Sequence, residues 1–165
     1  MRRKWVLAGL TGLVLAGSTA VVAVPSDDAI APASQRFAQA GFDALAKNQP
    51  AAAIDEFETA LAVDPKNRSA YIGIARAMQA QGLSGSAVKY YREALQLDPN
   101  DLTALAGQGE ALLQRGAKTR AQANLDRIRQ ICKSDCAEAR RLSAAIATAP
   151  AQTAQATPPA AAQKN

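Results

Sequence analysis

Few side chains in this chain could do chemistry. Its 165 residues include two cysteines, 14 acidic residues and no histidine. Cys132 and Cys136 flank Lys133-Ser134-Asp135. Zinc takes about four ligands, and without histidine only Asp135 and Glu138 could join the thiols. Haem attachment and thioredoxin-type exchange both use two residues between the cysteines, whereas three stand here. There is no Gly-rich phosphate loop and no serine elbow, and the carboxylates are scattered, so the usual general acid, base and nucleophile sets are missing. The expectation is a protein with no catalytic residues, metal site or cofactor.

The charge does not indicate a nucleic-acid partner. The formal charge is +5, but Arg2, Arg3 and Lys4 precede a long apolar run from Trp5 to Val24. Without them 16 basic residues face 14 acidic ones. Aromatics make up 4% of the chain, too few to interleave a basic face with stacking platforms. Three positive charges directly before an apolar stretch are the pattern of a bacterial-type export signal. Small residues allow cleavage after Ala20 or after Ala23, so residues 1–23 are read as a signal peptide. The alternative is an uncleaved anchor, because about twenty apolar residues also span a bilayer. Either way the remainder is expected beyond the inner membrane, in the periplasm, with membrane contact only through residues 5–24. In such an oxidising compartment an isolated pair, Cys132 and Cys136, is most simply a disulfide, with a redox or metal role as the alternative. So short a loop would stiffen the chain locally more than it would add stability.

The ordered part is expected to be helical, since alanine is abundant and β-branched runs are short outside the N-terminus. No strands are expected. Its organisation follows from a period. Asp64-Pro65 and Asp98-Pro99 lie 34 residues apart, and Ala53/Ala87, Phe57/Tyr91, Ala60/Ala94 and Leu61/Leu95 share that offset. A fixed period in this range indicates a solenoid. Each unit reads as two amphipathic helices divided by turn residues: Asn48-Gln49-Pro50, Gly82-Leu83-Ser84 and Gly116. Pro50 suits the first turn of a helix. Asn67 can cap the second unit's first helix, and Asn100 or Asp101 the third's. No unit can bury its apolar face alone, so stacking is obligatory. Beyond them, Ala139, Leu142, Ala145 and Ile146 make one short amphipathic helix, read as a cap.

The stretches from Ala53 to Pro65 and from Ala87 to Pro99 closely resemble the second helix and terminal proline of a tetratricopeptide repeat. With Ser34, Arg68 and Leu102 as first residues, the family's early large position falls on Phe37, Tyr71 and Leu105, and its small position on Gly41, Ala75 and Gly109. The later positions give Ala53, Phe57, Ala60, then Ala87, Tyr91, Ala94, then Ala121, Leu125, Ile128. The third unit departs from the pattern, with Ile128 where alanine is usual and Lys133 where proline is usual. The resemblance covers about residues 34 to 133. It implies an all-α, right-handed solenoid of three helix pairs, residues 34–67, 68–101 and 102–135, with a cap over 136–148. Residues 24–33 would be a linker and 149–165, rich in Ala, Gln, Pro and Thr, a disordered tail.

The resemblance also implies where a partner would sit, because first helices in this family line a concave groove. By repeat position the groove residues are Gln35, Ala38, Phe42, Ser69, Ile72, Arg76, Thr103, Ala106 and Glu110. Members that clamp a terminal carboxylate use Lys, Arg and Asn at positions that carry Ala38, Phe42 and Gly73 here. Phe42, Ile72 and Arg76 are the expected anchors. From Leu102 to Ala147 there are 8 basic and 4 acidic residues, so Arg127, Arg129, Arg140 and Arg141 could draw an acidic partner or an anionic envelope polymer. The expected function is a protein-binding module or assembly scaffold of the cell envelope. An enzyme, or a passive subunit of a secretion, pilus or wall-building machine, is the alternative. Partner identity and oligomeric state are open.

Overall fold

The computed structural model describes residues 29–133 and 136–150. The expected leader, the first half of the expected linker and nearly all of the expected tail lie outside the described residues, as do Ser134 and Asp135. The described residues form seven helices and no strand: α1 (Pro32–Ala46), α2 (Pro50–Val63), α3 (Arg68–Ala80), α4 (Ser84–Leu97), α5 (Leu102–Gln114), α6 (Lys118–Cys132) and α7 (Ala137–Thr148). None of them is long and apolar enough to cross a membrane. α1 begins at Pro32, two residues ahead of the expected Ser34 boundary, because proline's fixed φ and missing N–H suit the first position of a helix.

The turns repeat in register. Asn48, Gly82 and Gly116 all have positive φ, at 56°, 76° and 72°. In each the next residue's N–H returns to a carbonyl near the helix end: Gln49 to Ala44 at 3.0 Å, Leu83 to Met78 at 2.8 Å and Ala117 to Leu112 at 2.8 Å. This is the Schellman closure, which satisfies carbonyls that the helix leaves unpaired and reverses the chain into its antiparallel neighbour. At the other end of each pair, Asp64 and Asp98 accept the N–H of Lys66 and Asn100, both at 2.9 Å. Asn67 and Asp101 then cap α3 and α5 by accepting from Ala70 at 3.3 Å and Ala104 at 2.8 Å. The third unit lacks the Asp-Pro pair, and α6 ends instead on Lys133 in the left-handed conformation.

Packing follows one rule. The ring of Phe57 on α2 lies where Gly41 of α1 and Gly73 of α3 have no side chain, and a Cβ on either glycine would collide with it. Tyr91 on α4 does the same one repeat later against Gly107 of α5. Phe57 and Tyr91 are almost fully buried, at 0% and 1% exposure. Each aromatic therefore joins its own unit to the next. Phe37 is exposed, as no unit precedes α1 among the described residues, whereas Leu105 at the equivalent place is buried. α7 continues the 34-residue frame: Ala139, Leu142 and Ile146 match Leu105, Gln108 and Leu112, and they are its buried face. Leu142 packs on Gly109, so the cap is the first helix of an abbreviated fourth unit.

Between units the same positions carry different chemistry. Ser34 Oγ donates to the Ala60 carbonyl at 2.7 Å and accepts from Asn67 Nδ2 at 2.8 Å, all buried. One repeat on, Arg68 meets Asp98 at 2.9 Å and Asp101 at 2.6 Å, partly exposed. A buried neutral chain thus gives way to an ion pair.

Two glycines should respond differently to alanine. At Gly82 nothing lies within 4 Å of an added Cβ, so Gly82→Ala meets no clash but must hold its side chain at positive φ, a cost of about 1 kcal/mol by urea unfolding, and Gly82→Asn less, as Asn48 shows. Gly73→Ala instead forces the Phe57 ring to move and should cost about 1–3 kcal/mol. Gly82→Asn no more stable than Gly82→Ala, or Gly73→Ala as stable as wild type, would contradict this division.

Asp64 gives a pH dependence. Its carboxylate accepts the Ala31 N–H at 2.9 Å as well as that of Lys66, and these backbone donors hold its pKa below the ordinary 3.8. The folded state thus favours the ionised form, so the stabilisation is complete above pH 3.8 and disappears as pH falls through the lowered value. Urea unfolding should show wild type most superior to Asp64→Asn above that pH, with the difference closing on acidification.

Candidate functional site

The stack has an inside and an outside. α1, α3, α5 and α7 pack side by side, each on the next, while the backbones of α2, α4 and α6 stay apart. The first helices therefore lie on the inner, concave face.

At the N-terminal end of that face is an open cleft of about 260 Å³, lined by Ile30, Gln35, Ala38, Gln39, Phe42, Asn67 and Ser69. Four of the nine expected groove residues line it: Gln35, Ala38, Phe42 and Ser69. Ala38 is its floor, only 4% exposed. The equivalent residue in the second unit is the larger Ile72, itself buried at 6% exposure. Gln35 also donates to the Ile30 carbonyl at 3.0 Å, which holds the chain entering α1 against this cleft. Phe42 stands in edge-to-face contact with Phe57, their centroids 4.9 Å apart, so one side of its ring is core and the other is wall.

The next row is electrostatic. Phe42, Arg76 and Glu110 occupy one repeat position on α1, α3 and α5. The Arg76 guanidinium lies 6.0 Å from the centroid of the Phe42 ring, a cation–π distance. It also lies near the Tyr91 hydroxyl, which donates its proton to Gln79 Oε1 at 2.7 Å. Glu110 is taken by Arg141 of α7 at 2.7 Å. Burial pushes the Tyr91 hydroxyl up to about 12, against the opposing pull of Arg76 and Arg141. It stays protonated throughout the physiological range and serves as a fixed dipole between α3 and α4.

The remaining expected groove residues divide by burial. Thr103 is half-buried, and Gln35, Ser69 and Arg76 are exposed. Ala106 is fully enclosed, and Ile72 at 6% exposure is about as buried as Ala38, so both serve mainly as packing residues of α5 and α3. Ile72, an expected anchor, keeps most of its side chain in the core. Of the basic cluster expected to act together, Arg141 turns to the inner face, while Arg129 lies 3.9 Å from Asp126 on α6. Ile30, Gln39 and Asn67 in the cleft, and Arg141 beyond it, are the contributors that repeat-position reasoning missed. The signal for Arg141 was present, since it stands 34 residues after Gly107 and so on the next first helix in frame.

Cys132 and Cys136 face each other across the α6–α7 junction, their sulfurs in contact and their Cα atoms 6.2 Å apart.

Comparisons with known proteins agree with this geometry. The tetratricopeptide repeat profile matches residues 39–101 and again 74–135. No curated protein matches the chain. Among solved structures, the Sgt2 TPR domain from Aspergillus fumigatus superposes with a TM-score of 0.65 at 23% identity, covering 74% of this chain and 82% of that one. The first TPR of Spaghetti (RPAP3), bound to an HSP90 peptide, gives 0.63 at 18% identity, covering 70% and 97%. The Yersinia enterocolitica type III secretion chaperone SycD, in complex with a peptide of the translocator YopD, gives 0.60 at 18% identity, covering 68% and 86%. At these identities the likeness shows the fold. The repeat profile, which takes in more than half of the chain, and the stacked helix pairs it shares with these structures place the chain in the tetratricopeptide repeat family.

Proposed function

We propose that the inner face holds a segment of another protein, extended or helical, with an apolar side chain seated in the cleft between α1 and α3. The observation that carries this reading is the meeting of Phe42 and Arg76, one repeat apart, at the edge of a cleft whose floor is only alanine. An apolar recess beside an arginine stacked on an aromatic ring is the composition in which binding energy concentrates. Peptides held by the RPAP3 and SycD domains support the same use of this fold. The role is binding and not catalysis. An anionic polymer on the basic third unit is less favoured, because Arg141 is neutralised by Glu110 and Arg129 lies near Asp126.

The setting we propose is the bacterial cell envelope, where the chain serves as an interaction module or assembly scaffold. Residues 1–23 act as the export signal and the repeats work in the periplasm, with an inner-membrane anchor as the alternative. There Cys132 and Cys136 form a disulfide that sets how α7 leaves α6.

Site-specific photocrosslinking in cells tests the groove. A probe at Gln39, on the cleft wall, should give discrete products that a probe at exposed Glu58 on α2 does not. Ala38→Ile, which places the second unit's own residue on the cleft floor, should remove them by at least about tenfold while circular dichroism shows the helical fold retained. Products that are the same from both probes, or that survive Ala38→Ile, would sink the proposal.

Intact mass of the protein recovered from the envelope, alkylated without reduction, tests the setting. The expected species begins after Ala20 or Ala23 and takes up no alkyl group. An unprocessed mass selects the anchor, and two alkyl groups rule out the disulfide.

A further inference from the structure

The groove reading leaves the chemistry of the partner open, and the inference below rests on that reading. Arg76 and Glu110 hold the same repeat position on neighbouring helices and would be natural partners for each other. The cap prevents this. Arg141 of α7 sits 2.7 Å from Glu110, so the one carboxylate in the row is already matched. Arg76 is left exposed, and among the described residues its contacts are the Phe42 ring and the Tyr91 hydroxyl, neither of which carries opposite charge. Both contacts orient the guanidinium, and neither cancels it. The row therefore carries two arginines against one glutamate.

Position adds to the charge. Phe42, over which Arg76 lies, is also a wall of the cleft, so whatever approaches Arg76 is adjacent to the apolar recess. A guanidinium held over an aromatic ring is preorganised for a planar carboxylate, and less side-chain freedom is lost when the two meet. A basic segment would meet a net positive row with no free carboxylate in it.

We propose that the partner segment presents an Asp or Glu side chain to Arg76, next to an apolar side chain seated over Ala38 in the cleft. The feature recognised is an internal acidic residue with an apolar neighbour. The positions that would clamp a chain-terminal carboxylate carry Ala38, Phe42 and Gly73.

Selection from a library of random linear peptides, joined to carrier at both ends so that no terminus is free, tests this on the purified chain. Enriched peptides should share an acidic residue at a fixed spacing from an apolar one. Arg76→Glu should turn that preference to Lys or Arg at the same spacing. For one enriched peptide, changing its Glu to Gln should weaken binding to wild type about tenfold and add little on Arg76→Gln, since both changes remove one charged hydrogen bond. Enrichment without acidic residues, a preference that Arg76→Glu does not reverse, or losses that simply add would overturn the inference. So would binding that appears only when a free C-terminus is supplied. Ala38→Ile distinguishes the two levels: if it removes the apolar preference while Arg76→Glu changes nothing, the groove stands and only the acidic partner falls. If Ala38→Ile has no effect, or no peptide is enriched at all, the groove reading itself fails.

Discussion

Everything in this fold depends on an aromatic ring meeting a helix that has no side chain to offer. Phe57 reaches from α2 to both α1 and α3 because Gly41 and Gly73 leave its space empty, and Tyr91 meets α5 over Gly107 in the same manner. Two helices of one unit and the first helix of the next are thus fixed by a single buried ring. Repeating that contact at a constant interval forces the helices to stack with a constant offset, and the first helices gather on one side. The concave face is therefore a by-product of core packing. Its residues are whatever the first helices present once their small positions have been committed to the rings.

This constraint explains which parts of the molecule were legible in the amino-acid sequence. The 34-residue period carries the small and aromatic positions, the left-handed turns at Asn48, Gly82 and Gly116, and the caps at Asn67 and Asp101. Each of these is a local requirement on residue type, so each leaves a mark at its own position. The end of the third unit is legible as a departure, and the departure has a physical form: without Asp-Pro, α6 ends on Lys133 with φ 55°. The start of α1 at Pro32 was hidden because the frame was set by later units, which have no proline at that place.

The site was legible only in part, for a different reason. Repeat position finds the inner face, yet it does not say how deep any residue lies in it. Ala38, Ile72 and Ala106 share one position, but the first floors an open cleft, the second fills its own space and the third is enclosed. Depth depends on the size of neighbours on other helices, which no single position records. The charges are less legible still. That Glu110 is taken, and by Arg141, follows only once α7 is recognised as a first helix in the same frame, for in sequence the two are separated by all of α6.

The cap consequently does more than end the apolar core. By burying Leu142 on Gly109 it closes the last unit, and from the same helix it sends Arg141 to the one carboxylate that could have neutralised Arg76. Were α7 merely a solvated lid, Glu110 would remain as a negative group beside Arg76 and the inner face would be balanced. The side chains at 76 and 110 alone would then describe a neutral groove. With α7 in place the same face carries an excess of positive charge, held over an aromatic wall at its apolar end. The identity of the helix that terminates a solenoid therefore enters the electrostatics of its groove at a distance of more than one repeat, and a binding face of this kind has to be read together with its cap.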